Sequence, residues 1–269
     1  MTDRYAVIGH PISHSKSPLI HRQFAAQTGQ DLSYEAVEAP LDDFVGTVQR
    51  LRAEGYSGCN VTVPFKFAAR DLSDQLSGRA RAAEAVNTLI FRDGKILGDN
   101  TDGAGLVRDI EQNLGFRLLF KRVLLLGAGG AAHGVIWQLF NAGASLVVAN
   151  RSLDKAEQMV SDFASYGTVF ASSYEALAGK SFDLVINATS SSLSDALPPL
   201  PPGVFAAGSL AYDMMYGRDT PFLQFAREQG AAQRADGLGM LVEQAAEAFR
   251  IWREVMPDTA PVLAALRQN

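Results

Sequence analysis

The stretch Arg122-Val123-Leu124-Leu125-Leu126-Gly127-Ala128-Gly129-Gly130-Ala131-Ala132 decides the fold of the second half of the chain. The apolar run reads as a buried strand, and it breaks into a G-x-G-x-x-A turn that opens a helix over 131–141. A glycine pattern alone is weak; between a strand and a helix it marks a dinucleotide site. Glycines there let a pyrophosphate approach the backbone amides at the positive end of the helix. Gly127, Ala128, Gly129, Gly130 and Ala131 are therefore candidate cofactor-binding residues.

The next strand, 145–149, selects the nucleotide. An NAD site usually places an acid at its end, about 20 residues beyond the glycines, for the ribose hydroxyls. This chain has Asn150-Arg151-Ser152 instead, with Lys155 shortly after. A guanidinium pairs a phosphate through its planar fork, so Asn150, Arg151, Ser152 and Lys155 predict a 2′-phosphate and hence NADP. The alternative for Arg151 is a solvated strand-end charge. Asp154 falls in the first turn of the following helix, where an acid has ordinary capping value.

Around this centre the pattern alternates regularly. A helix over 153–164, strands over 182–188 and 209–213, and a helix opened by Thr220-Pro221 and closed by Gly230 predict a parallel sheet with helices on both faces. Amphipathic helices over 241–254 and 261–267 end the chain, and 190–202 reads as an ordered Ser/Pro-rich loop. The first hundred residues are more mixed. Strands are expected over 5–9, 32–38 and 58–63, and helical spacing over 41–54. A helix capped by Ser17, with Pro18 at its first position, ends at Gly29. Another helix starts near Phe65, a longer one covers 77–85, and Asp93-Gly94 signals a hairpin between 88–91 and 95–98.

Composition bounds the class. The chain has 269 residues, enough for about two domains. It is 47% hydrophobic and 20% charged, as expected of a folded globular chain. With 24 Lys+Arg against 29 Asp+Glu the net charge is −5, which argues against nucleic acid as a partner. Residues 123–150 carry no charged side chain, but five glycines with His133, Gln138 and Asn141 exclude a membrane helix there. The start shows no targeting pattern, and Cys59, the single cysteine, excludes an internal disulfide, so a cytoplasmic location is expected. His10, His14, His21 and His133 lack metal-ligand spacing, so no metal is expected.

Five further blocks carry chemistry: 9–18 (GHPISHSKSP), 60–66 (NVTVPFK), 85–88 (AVNT), 98–103 (GDNTDG) and 236–244 (DGLGMLVEQ). Ser15 and Ser17 enter a helix N-terminus, where hydroxyls and free amides can receive a carboxylate. Lys66 follows a strand end and a proline; most lysines are solvated surface charges, but partial desolvation beside a substrate would suit this one to proton transfer. Asp102 reads as a residue of a glycine-flanked loop. Asn60, Thr62, Asn87 and Gln244 are neutral hydrogen-bonding groups suited to a polyhydroxylated ring, although Asn and Gln often only satisfy loop backbone.

In this order, around the glycine turn, the blocks resemble the shikimate dehydrogenase family over nearly the whole chain. The resemblance implies two α/β domains: an N-terminal α/β substrate domain (1–103) completed by the C-terminal helices (238–269), and an inserted Rossmann-like NADP-binding domain (104–237), with a cleft between them. It implies reversible NADPH-dependent reduction of 3-dehydroshikimate to shikimate, on the route to chorismate and the aromatic amino acids, by a monomer or homodimer. It makes Lys66 and Asp102 the catalytic pair and Ser15, Ser17, Thr62, Asn87, Tyr216 and Gln244 substrate contacts. Thr189, Met214 and Gly237 match cofactor positions. Glu84 and Ser192 stand where family members often have glycine, and Cys59 is a variant before Asn60. Other readings are a quinate/shikimate dehydrogenase using NAD, a divergent paralogue, a non-catalytic NADP- or shikimate-binding regulator, and a folate-type dehydrogenase. Arg151 argues against the first; the presence of both Lys66 and Asp102 argues against the regulator; and the Ser15-Lys16-Ser17 loop argues against the last.

Overall fold

The computed structural model describes residues 2–189 and 196–268; Ser192 and the first part of the expected 190–202 loop lie outside them. The chain divides into two compact units, Met1–Gly105 with Leu241–Asn269, and Leu106–Met240. Both are mixed α/β, each built on one six-stranded sheet.

The first unit begins β1 (Asp3–Gly9), α1 (Ser17–Thr28), β2 (Leu32–Glu38), α2 (Phe44–Ala53) and β3 (Tyr56–Val61). It continues with α3 (Lys66–Leu72), β4 (Gln75–Leu76), α4 (Gly78–Ala83), β5 (Thr88–Arg92) and β6 (Lys95–Asp99). The strands lie in the order β2-β1-β3-β5-β6-β4. β1 runs parallel to β2 and β3, whereas β5 is antiparallel to both β3 and β6. The β5–β6 hairpin turns at Asp93 and Gly94, with φ of 52° and 74°, the pair of left-handed residues that a two-residue turn of this twist requires. α5 (Asp102–Arg108) then runs on into a wide π turn over Asp109–Asn113.

In the second unit β7 (Arg122–Leu126), α6 (Gly130–Asn141), β8 (Ser145–Ala149), α7 (Leu153–Phe163) and β9 (Val169–Ser172) come first. β10 (Phe182–Asn187), β11 (Phe205–Asp213), α8 (Pro221–Glu228) and β12 (Gln233–Ala235) follow. Every neighbouring pair is parallel, in the order β12-β11-β10-β7-β8-β9. The chain starts in the middle at β7, winds out to β9, returns to β10 on the other side of β7, and winds out to β12. This doubly wound order reverses between β7 and β10, and ligands of such sheets bind beyond the strand ends at that reversal. α9 (Leu238–Arg253) and α10 (Ala260–Arg267) complete the chain. Among the described residues no helix is long and apolar enough to cross a membrane.

Sheet alternation places the first unit's cores. Ala6, Ile8, Cys59, Val61 and Leu89 join Val48, Phe65 and Val86 in one cluster. Tyr5 instead packs with Ala248 and Trp252 of α9. Tyr5 and Trp252 stack at 4.6 Å, and Trp252 Nε1 donates to the Leu89 carbonyl at 3.2 Å. An ion cluster ties α4, β6 and α9 together. Arg79 meets Asp99 at 2.7 Å and Glu247 at 2.9 Å, and Arg250 meets Glu247 at 2.7 Å. Burial pushes the Glu247 pKa up, but its bonds to Arg250 and Arg79 outweigh burial and hold it at about 2. Removing Arg79 or Glu247, enclosed members of this cluster, costs about 3–5 kcal/mol.

Several expectations need correction. Ser17 is the first residue inside α1 and makes no cap; Lys16 occupies the cap position, and Ser15 Oγ instead accepts the Ser17 amide at 3.3 Å. The expected 77–85 helix stops at Ala83, because Glu84 turns left-handed at φ 47°. Asp102 is not a loop residue but opens α5. β4, β9 and β12 are two to four residues long, too short for alternation to show in sequence.

His21 of α1 is fully buried, its ring stacked on Tyr34 at 4.1 Å and 6°. Burial pushes its pKa down to about 3, with the Asn60 side chain opposing. The unfolded chain binds this proton near pH 6.5 and the folded chain only near 3, so stability falls as pH drops below 6.5. By pH 5 the contribution of this residue is a loss of about 2 kcal/mol. In His21→Phe the loss between pH 7 and pH 5, measured by urea unfolding, should be smaller by about that amount. Equal losses in both proteins would contradict a buried neutral imidazole.

Candidate active site

Two strand ends of the first unit deliver the central pair. After β3 the chain turns through Thr62–Phe65, closed by Phe65 N donating to the Thr62 carbonyl at 3.0 Å, and Lys66 begins α3. After β6, Asn100 and Thr101 lead to Asp102 at the start of α5, where Asn100 Oδ1 accepts the Asp102 amide at 3.1 Å. Asn100 is itself held by donating to the Ala85 carbonyl at 2.9 Å. Lys66 Nζ then lies 2.6 Å from Asp102 Oδ2, with side chains 18% and 8% exposed. Lys66 retains two further ammonium protons and a partly open face, so it can serve as an acid toward a group placed beside it.

Asn87 completes the arrangement. Its Nδ2 donates to Asp102 Oδ1 at 2.8 Å, so each carboxylate oxygen has a donor. Its Oδ1 accepts the Thr101 amide at 2.9 Å and the Thr88 hydroxyl at 2.8 Å, which together fix which way the side chain faces. Gln244 Oε1 lies 3.4 Å from both Asn87 Nδ2 and Thr101 Oγ1. Gly105, one turn after Asp102, allows this approach, since a Cβ there would lie 2.6 Å from the Gln244 amide nitrogen. Lys66, Asn87, Asp102 and Gln244 are thus brought together from α3, the start of β5, α5 and α9.

The serine loop belongs to the same unit. Ser15 bonds the Ser17 amide, and Ser17 is buried with its hydroxyl on the Tyr34 oxygen. Thr62 is half-buried at the end of β3, packed so close to Gly9 that a Cβ there would lie 2.6 Å from its Cγ2. Tyr216, expected among the substrate contacts, lies in the second unit near Met214, and burial pushes its pKa up.

The second unit holds the remaining candidates beyond the ends of its central strands. Gly127 follows β7 at φ +103°, and a Cβ there would sit 3.2 Å from the Ala188 carbonyl oxygen and from Thr189 Cγ2. Thr189 is held in place by donating from Oγ1 to Asn187 Oδ1 at 2.7 Å. Gly129 caps α6 without a side-chain bond, no acid occupies the first turn, and a Cβ on Gly129 would meet open space. A helix N-terminus with uncapped amides and such a vacant approach fits a pyrophosphate. Ala128 and Ala131 flank this turn. After β8, Asn150 Nδ2 donates to the Ser152 carbonyl at 3.0 Å, while Arg151, Ser152 and Lys155 are exposed. Burial pushes up the pKa of Tyr174, and the Arg151 charge opposes it. This basic, acid-poor strand end fits a 2′-phosphate. Gly237 donates its amide to the Met215 carbonyl at 2.9 Å and backs onto Met214, leaving no room for a Cβ.

Sequence reasoning gave no role to Thr88, Thr101, Tyr34 or Asn100. Thr88, Asn100 and Thr101 sit in quoted blocks and are buried, whereas Tyr34 lies in β2, outside them. The available signal was a polar residue beside apolar neighbours in a strand, since a buried polar group must find a partner.

Three family models match the chain: the shikimate dehydrogenase substrate binding domain over residues 7–89, shikimate / quinate 5-dehydrogenase over 109–194, and the shikimate 5′-dehydrogenase C-terminal domain over 237–267. A curated relative, the NADP(+) shikimate dehydrogenase of Methylobacillus flagellatus, is 64% identical over 98% of this chain and 99% of its own length. Among solved structures, an Ael1 enzyme from Pseudomonas putida is 54% identical, covering 98% of each chain, with a TM-score of 0.94. The Thermus thermophilus shikimate 5-dehydrogenase in complex with NADP(H) and shikimate is 33% identical, covering 99% of each chain, with a TM-score of 0.89.

Gly127→Ala combines a disfavoured backbone angle with crowding against the 188–189 loop. It should lower stability by about 1–3 kcal/mol, read as a fall in the urea midpoint with an unchanged slope. An unchanged midpoint would mean that the turn relaxes freely.

Proposed function

The chain belongs to the shikimate dehydrogenase family, and from that premise we propose that it is a cytoplasmic, NADP-dependent oxidoreductase interconverting 3-dehydroshikimate and shikimate. It would act as a monomer or homodimer on the route to chorismate. Residues 1–103 with 238–269 bind the substrate, and 104–237 bind the nucleotide. The observation that carries the reading is the Lys66–Asp102 contact at 2.6 Å, with Asn87 on the second carboxylate oxygen.

When bound, NADPH supplies the hydride that reduces the ring carbonyl at carbon 3. Negative charge builds on the carbonyl oxygen as its double bond opens, and Lys66 Nζ delivers a proton to it, which yields the alcohol. Asp102 stays ionised, holding the ammonium in line and balancing its charge. Asn87 and Gln244 hydrogen-bond ring hydroxyls, while Ser15 and Ser17 receive the carboxylate at the start of α1. In the oxidative direction Lys66 takes the hydroxyl proton as hydride leaves the same carbon. Arg151 and Lys155 hold the 2′-phosphate, and that contact separates NADP from NAD.

Initial rates at 340 nm with shikimate or quinate, each with NADP or NAD, test this directly. Activity with shikimate and NADP far above the other three combinations is expected; quinate with NAD prevailing would replace both substrate and cofactor. Lys66→Ala should lower kcat at least about 100-fold while the shikimate dissociation constant changes far less. A near-unchanged kcat would remove Lys66 from the chemistry. Arg151→Gln should raise KM for NADP about tenfold and leave that for NAD nearly unaltered. Parallel changes with both nucleotides would remove the 2′-phosphate contact.

A further inference from the structure

Asp102 Oδ1 depends on an amide that has two faces. Turned over, Asn87 would present its oxygen to the carboxylate and withdraw the donor. Three contacts hold the oxygen on the far side: the Thr101 amide at 2.9 Å, which can only donate, the Thr101 hydroxyl at 3.2 Å, and the Thr88 hydroxyl, the shorter of the two hydroxyl contacts, at 2.8 Å. A hydroxyl can donate or accept, so the direction of the Thr88 bond must be set elsewhere.

Asn60 sets it. Its Nδ2 donates to Thr88 Oγ1 at 3.1 Å and to the Asn87 carbonyl at 3.1 Å, which uses both amide protons. The Thr88 proton then goes to Asn87 Oδ1, because the other acceptor, Thr101 Oγ1, lies 3.5 Å away. Asn60 in turn is oriented by the Tyr34 hydroxyl, which donates to its Oδ1 at 2.8 Å. Donation runs one way, Tyr34 to Asn60 to Thr88 to Asn87 to Asp102, and arrives at the carboxylate oxygen that Lys66 does not use. Bonds aligned in this way polarise one another.

Asn60 and Thr88 face each other across the β3–β5 ladder, flanked by buried Cys59 and Leu89. An apolar cross-strand pair would pack there without any need for partners. Neither residue bonds Lys66 or Asp102. We propose, resting on the reaction assigned above, that Thr88, directed by Asn60 and Tyr34, is a positioning residue that keeps the Asn87 amide donating to Asp102 and so keeps Lys66 in line for proton transfer.

Thr88→Val is nearly isosteric and removes the relay; Thr88→Ser keeps the hydroxyl. With shikimate and NADP, kcat in Thr88→Val should fall about tenfold while KM for NADP stays within twofold, and Thr88→Ser should recover most of the rate. Tyr34→Phe keeps the ring on His21 and should lower kcat by about threefold, so it carries the test if Thr88→Val fails to fold. A purely structural role would lower the urea midpoint of Thr88→Val and leave kcat per folded molecule unchanged. That result, or a serine variant as slow as the valine one, would overturn the proposal. Inactivity of the unaltered chain with shikimate and NADP would overturn the assigned reaction and this proposal together.

Discussion

A carboxylate taken almost out of water must be answered by donors, and the first unit is organised around meeting that demand at Asp102. Lys66 and Asn87 each satisfy one oxygen, and Asn100 receives the backbone amide behind it. Each of these three residues is positioned by a different element. Lys66 needs the turn after β3, Asn87 the start of β5, and Asn100 the end of β6. Leaving a buried charged acceptor unmet would cost several kcal/mol, a large share of a domain's net stability. The constraint therefore reaches well beyond the residues that touch the carboxylate.

One consequence is the polar character of the sheet centre near Asn60, Asn87, Thr88 and Thr101. A second is the Arg79 cluster, which anchors Asp99 two residues before Thr101 and ties it to Glu247 of α9, the helix that also carries Gln244. Gly105 lets that helix approach, since a side chain there would strike Gln244. Close packing and satisfied polar groups support each other here: neither arrangement survives if the other moves.

The second unit solves a different problem with similar means. Its sheet is parallel, so the loops that matter all leave from the same edge. Asn187 and Asp213, at the ends of adjacent strands, are fully buried and bonded to each other at 3.2 Å. Asp213 also receives the Thr220 hydroxyl at 2.6 Å, and Asn187 receives Thr189. Thr189 and the Met215 amide are thus each bonded to a member of one buried polar pair. In the first unit, Glu84 adopts the left-handed angle glycine favours and ends α4 there at some backbone cost.

The strand–glycine–helix signal, the strand/helix alternation, the hairpin at Asp93-Gly94 and the choice of NADP over NAD were all legible in the residues themselves. Each depends on local chemistry: buried apolar runs, residues tolerant of left-handed backbone, and the presence of a guanidinium where an acid is usual. The candidate pair was legible only through the resemblance, since nothing within a few residues of Lys66 or Asp102 distinguishes them from surface charges. Asp102 was misread as a loop residue because the glycines around it weaken the helical pattern of 102–108. The partners of Asp102, the direction of donation from Tyr34 through Thr88, and the binding of Arg79 to Glu247 were decided by tertiary structure alone. Apart from the short links Thr88–Asn87 and Asn100–Asp102, those bonds join residues from 15 to 168 positions apart. A hydrogen bond between distant side chains leaves no periodicity in the sequence; it exists only once the sheet has brought its strands into register.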